Sequence, residues 1–103
     1  MKRVRRVLPE MRRDLREAAS WYDRQHRGLG ARLIAASRQS LAEISQWPDA
    51  APRFPGWRPP PTIRMKAVQG FPFHLLYCST PEEVRVFACA HDRRHPGYWY
   101  HRV

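Results

Sequence analysis

Apolar residues recur along this chain with two different periods. Over residues 10–26, Met11, Leu15, Ala18, Ala19 and Tyr22 fall at helical spacing while Arg12, Arg13, Arg16, Glu17, Asp23 and Arg24 fill the other faces. That pattern predicts an amphipathic helix, opened by Pro9. Gly28-Leu29-Gly30 interrupts the stripe, and a second one, Leu33, Ser37, Leu41 and Ile44, predicts another helix that stops at Trp47-Pro48. So short a turn predicts an antiparallel helical hairpin. Beyond residue 61 the period changes to two. Strands are predicted over 62–69, 73–79 and 84–90, with turns at Gly70-Phe71-Pro72 and Ser79-Thr80-Pro81-Glu82, and such short separations predict an antiparallel meander. In the first of these strands Ile63, Met65 and Ala67 alternate with Arg64 and Lys66, so the hairpin is expected to cover the face of Ile63, Met65 and Ala67.

A short edge strand is predicted over residues 2–8, with Val4 on one face and Arg3 and Arg5 on the other before Pro9 ends it. Pro52, Pro55, Pro59, Pro60 and Pro61 preclude regular structure over 49–61 and predict a surface loop tethering the helical half to the sheet half. The expected architecture is one α+β domain over residues 1–103. It has an N-terminal strand and a two-helix antiparallel hairpin packed on an antiparallel sheet of about four strands.

A chain of 103 residues affords one modest core. Charge changes the picture more: 19 Lys+Arg against 9 Asp+Glu give a formal net charge of +10, and Lys2 and Lys66 are the only lysines. Arginine pairs bidentately with phosphate and carboxylate and stacks on flat rings, so this surface suits nucleic acid or an acidic protein partner. Cys78 and Cys89 lie in apolar strand-like runs without the spacing of a redox or zinc motif, and are read as buried thiols in a reducing compartment. No apolar run approaches about 18 residues and the start lacks a signal-peptide core, so the expectation is a cytoplasmic protein without membrane contact. The glycines at 28 and 30 lack the preceding strand and the lysine of a phosphate loop, and are turn residues. His91 and His95 lack a third ligand, so no metal and no other cofactor is expected.

The last strand empties into His91-Asp92-Arg93-Arg94-His95-Pro96-Gly97-Tyr98-Trp99-Tyr100-His101-Arg102, a cluster of cations and rings at a sheet edge, where phosphates and bases can be met. His91, Arg93, Arg94, Tyr98 and Trp99 are the candidates for target binding. For Tyr98 and Trp99 the alternative is packing of the tail onto the sheet, and Trp21 and Trp47 are read as capping the helix layer.

Several blocks, in this order, resemble the RelE/ParE superfamily of type II toxin-antitoxin toxins, and ParE-type members in particular. They are Leu15-Arg16-Glu17-Ala18-Ala19-Ser20-Trp21-Tyr22, Gly28-Leu29-Gly30, residues 44–48, Phe71-Pro72-Phe73-His74-Leu75-Leu76-Tyr77, and Ala90-His91-Asp92-Arg93-Arg94-His95-Pro96-Gly97-Tyr98-Trp99. The resemblance implies a small cytosolic toxin neutralised by a co-encoded antitoxin whose disordered, acidic segment wraps across it. It also implies one of two targets: DNA gyrase for ParE-like members, or mRNA in the ribosomal A site for RelE-like ones. Under the RelE-like alternative, the basic strand pair falls on Arg64 and Lys66, the next strand's catalytic arginine on His74, the later arginine on Arg94 and the terminal tyrosine on Tyr98 or Tyr100. Arg64 and Lys66 read equally well as an ordinary solvated strand face. Histidine in place of arginine at position 74 favours the gyrase reading, in which the protein binds rather than cuts. A third class is a nontoxic nucleic-acid-binding remnant. An adjacent gene for a small protein with an acidic helical tail discriminates the toxin readings from it.

Overall fold

The computed structural model describes residues 3–103; Lys2, where the N-terminal strand was expected to begin, lies outside the described residues. In chain order the elements are β1 (Val4–Val7), α1 (Pro9–Gln25), α2 (Leu29–Gln46), β2 (Ile63–Ala67), β3 (Phe73–Ser79) and β4 (Glu83–His91), followed by a 3₁₀ helix (Pro96–Arg102). Pro9 opens α1, where its missing N–H removes one donor that no helical carbonyl would have accepted. Between the helices Gly28 turns the chain with φ +94. Gly30 serves a different need. A Cβ there would collide with the Ala19 carbonyl and the Asp23 carboxylate, which instead accepts a 2.8 Å hydrogen bond from the Gly30 N–H.

The sheet order is β1-β4-β3-β2. The expected antiparallel meander is present in β2, β3 and β4, but β1 joins β4 in parallel, Val4 opposite Glu83 through Val7 opposite Val86, so the sheet is mixed. Parallel neighbours require a long crossover, and everything between β1 and β4 supplies it. No local pattern in a four-residue strand announces that pairing.

Both faces of the sheet are buried. On one, Phe73, Leu75, Tyr77, Val84, Val86 and Cys89 pack against Met11, Ala19, Leu33 and Ile44 of the helices. On the other, Ile63, Leu76, Phe87, Ala88 and Ala90 surround Trp99, with Phe54, Trp57, Met65 and Tyr98 packed around them. The hairpin therefore does not cover the face of Ile63 and Met65, as the alternation in β2 suggested. Met65 pairs with Leu76 and Ile63 with Cys78, which places the apolar side of β2 in the second core. The proline-rich loop and the C-terminal 3₁₀ helix cover it. The loop is more than a tether: Phe54 N donates to Ile63 O at 2.7 Å and Met65 N to Pro52 O at 2.9 Å, closing the outer edge of β2. A register shift between Leu76 and Tyr77 leaves Phe87 as an extra residue on β4, which turns both Phe87 and Ala88 toward the second core.

β1 stops at Val7, two residues short of where β4 still needs a partner. Two side chains replace the missing strand. The Asp14 carboxylate accepts from Cys89 N at 3.1 Å, and Arg102, paired with Asp14 at 2.6 and 3.2 Å, donates to Phe87 O at 3.2 Å. This buried clamp ties α1, β4 and the C-terminal helix together.

Both cysteines are buried and unpaired, as expected. Burial, reinforced by the Asp14 charge, pushes the Cys89 thiol up to about 12, and burial also raises the Tyr98 and Tyr77 phenols above their usual value of 10.0. Above pH 9.0, the ordinary thiol value, the unfolded chain releases protons that the folded one retains. Stability is thus complete below that pH and is lost as pH rises toward 12. Urea titrations at rising pH are expected to lose about 1.4 kcal/mol per pH unit for each group titrating only in the unfolded chain. A flat profile through that window would contradict buried, neutral Cys89.

Candidate functional site

β4 ends in a tight basic turn. Arg94 N donates to His91 O at 2.9 Å, Arg93 N to the His91 ring Nδ1 at 3.0 Å, and Gly97 N to the His95 Nδ1 at 3.0 Å, so backbone donors orient two of the three histidine rings nearby. The third, His74 at the start of β3, places Nδ1 2.6 Å from Asp92 Oδ1. In the neutral ring, Nδ1–H directed at the carboxylate leaves Nε2 as an acceptor. His74 and Asp92 line a cleft of about 260 Å³ together with Met65, Leu76, Arg94 and Trp99. Arg94 itself lies flat on Tyr98, its guanidinium carbon 3.6 Å from the ring centroid.

The five residues of the RelE-like set do not converge. His74, Arg94 and Tyr98 are on the side of the second core. Arg64 and Lys66 pair with Tyr77 and Leu75, whose side chains face the helices. There Arg64 donates to Ala51 O at 2.7 Å and Lys66 pairs with Glu43 at 2.6 Å, which holds the Glu43 carboxyl below its usual value. Tyr98 directs its hydroxyl to Cys89 O at 3.4 Å; burial first, then the Asp14 charge, raises its phenol despite Arg94 and Arg102, so it is no general base. Tyr100 packs instead against Trp57 and Trp99, with centroids 5.5 and 4.9 Å apart.

The target-binding set is partly brought together. Arg93 and Arg94 are exposed, and His91, edge-on to Phe73, lines both the cleft that holds Arg94 and the opening on the helix side. Trp99 is 1% exposed and packs against Phe54 and Phe87, so it is a core residue that forms the floor of the cleft rather than a free stacking surface. Trp47, expected to pack on the helix layer, is 62% exposed at the end of α2.

Sequence reasoning missed Asp92, Asp14 and a groove between the two helices and the end of β1. That groove, about 200 Å³, has Val7, Met11, Leu15, Ile34 and Leu41 as its apolar lining, with Arg12, Arg16 and Arg38 beside them. Among the described residues none of these three arginines has an ion-pair partner. Arg12 and Arg16, four apart around Leu15, were the available signal.

No family model matches the chain, and no curated protein matches it. Among solved structures it is similar to the chromosomal ParDE toxin-antitoxin system from P. aeruginosa, with TM-score 0.74 and 11% identity, over 87% of this chain and 96% of that one. The protein has a ParE-like α+β fold, as its ordered blocks led one to expect. No helix among the described residues is long and apolar enough to cross a membrane.

Proposed function

We propose that the protein is the toxin of a type II toxin-antitoxin pair, a ParE-like cytoplasmic protein that arrests growth by inhibiting DNA gyrase. The likeness in fold to a ParDE system, over nearly the whole of both chains, carries this reading. The division of the RelE-like cations between two faces of the sheet, with Arg64 and Lys66 already occupied, favours binding over cleavage. Its antitoxin is an acidic segment that folds on contact, and the arginine-edged groove of the hairpin suits the apolar face of such a segment with carboxylates on either flank.

Induction alone is expected to arrest a bacterial host, and co-expression of the adjacent gene to restore growth. DNA breaks should accumulate while transcript ends stay normal, and His74→Ala should change little. Normal growth at high soluble expression would leave only the nontoxic remnant. One observation favours a second reading, ribosome-dependent mRNA cleavage: the His74–Asp92 pair has the geometry of an oriented base beside Arg94. New transcript ends at codon positions, reduced about 10²-fold or more by Arg94→Ala, would replace the gyrase reading with that one.

A further inference from the structure

On the helix face, behind the cleft of His74, lies an aromatic notch of about 270 Å³ lined by Ala18, Trp21, Tyr22, Phe73 and His91. Trp21 is 50% exposed, an unusual position for so large a ring on a small domain. Its neighbours hold it in place: Tyr22 meets it edge-on with centroids 5.1 Å apart, and Phe73 meets His91 edge-on at 5.1 Å. The edge-on contact with Tyr22 leaves the Trp21 ring half open to solvent. His91 Nδ1 accepts the Arg93 N–H, so the neutral ring carries its proton on Nε2 as a donor. The notch and the cleft of His74 meet at His91, which lines both; Arg94, stacked on Tyr98, lines the cleft, and Arg93 is exposed in the same turn. Neither arginine has an ion-pair partner among the described residues, and Asp92, next to them in the chain, is bonded to His74.

We propose that this end of the sheet binds single-stranded nucleic acid, one unpaired base stacking on Trp21 in the notch and the adjoining phosphates meeting Arg93 and Arg94. The ligand chemistry follows from the groups present. A flat ring is taken up by an exposed indole with an edge donor beside it, and a polyanionic backbone by two exposed guanidiniums without ion-pair partners among the described residues, on a chain of net charge +10. An acidic peptide satisfies the arginines but leaves the indole unused. In a duplex the bases are already stacked on one another, and none is available to enter the notch. This binding is independent of which cellular machine the proposed toxin arrests, and a nontoxic protein would retain it.

The test is fluorescence anisotropy of labelled oligo(dT), oligo(U), a hairpin duplex and a polyglutamate peptide with the full chain, across roughly 50 to 200 mM salt. Both single strands are expected to bind more tightly than the duplex. Trp21→Ala should weaken them about tenfold or more, with Trp21→Phe retaining most of the affinity. Arg93→Gln should lower the slope of log affinity against log salt by about 0.7, the single-strand value for one phosphate contact. A preference for oligo(U) assigns RNA as the source and a preference for oligo(dT) assigns DNA; either supports the site. Circular dichroism identical to the parent's keeps the variants interpretable, as the exposure of both residues leads one to expect. Duplex bound as tightly as single strand, single-strand affinity indifferent to Trp21→Ala, or polyglutamate losing the same tenfold on that substitution would each overturn the proposal.

Discussion

Arg102→Ala is expected to destabilise the protein by about 3 to 5 kcal/mol, because it strands the buried Asp14 carboxylate without its counter-charge. For a domain whose total stability is on the order of 5 to 15 kcal/mol, that is a large share. An ordinary buried ion pair can often be replaced by two apolar residues at no loss. This one cannot, because each partner also holds a main-chain group of β4: Asp14 accepts from Cys89 N and Arg102 donates to Phe87 O. In the double variant Asp14→Leu with Arg102→Leu those two groups are orphaned, each at a cost of about 1 to 3 kcal/mol. The double variant is therefore expected to remain at least ~2 kcal/mol below the parent in urea denaturation. Full recovery would show that the pair acts only through its charges and that β4 does not need a side-chain substitute for its missing neighbour. The C-terminal 3₁₀ helix carries Tyr98 and Trp99, so loosening Arg102 should also loosen the support beneath Arg94.

What could be read in advance follows how local each determinant is. The helical hairpin was legible because the 3.6-residue stripes of α1 and α2 run for about three turns each and the Gly28-Leu29-Gly30 turn separates them. The strands were legible to within a residue or two from their turns. The side on which the helices sit was not, because β3 is apolar on both faces. Phe73, Leu75 and Tyr77 belong to one core and Leu76 to the other, and a strand buried on both sides loses the alternation that marks an inside. That ambiguity put Arg64 and Lys66 on the wrong face; the five-residue set itself came from the resemblance to RelE-like chains. Long-range partners were equally hidden: Asp14 finds Arg102 across 88 positions and His74 finds Asp92 across 18. Trp99 shows the same limit at close range. In a run of Tyr98, Trp99 and Tyr100, only the pitch of the 3₁₀ helix decides which ring turns inward.

Reversing the three groove arginines, Arg12→Glu, Arg16→Glu and Arg38→Glu together, is expected to separate neutralisation from toxicity. Their side chains are exposed and, among the described residues, without ion-pair partners, so folding should be little changed. An acidic segment lying on Met11, Leu15, Ile34 and Leu41 would then meet carboxylates on both flanks. Like charges brought together at an interface cost several kcal/mol, enough to weaken the complex by about 10² to 10³-fold. In the parent protein the association rate should fall as salt shortens the Debye length to about 8 to 10 Å; in the variant that dependence should flatten or reverse. Induced alone, the variant should still arrest growth, since the groove is lined by residues of β1, α1 and α2 and shares none with the basic turn that ends β4. Induced with the adjacent gene, it should no longer be rescued. If rescue persists and the purified pair binds as tightly as before, the acidic segment lands elsewhere on the +10 surface, and the arginines of the hairpin are only its solvated margin.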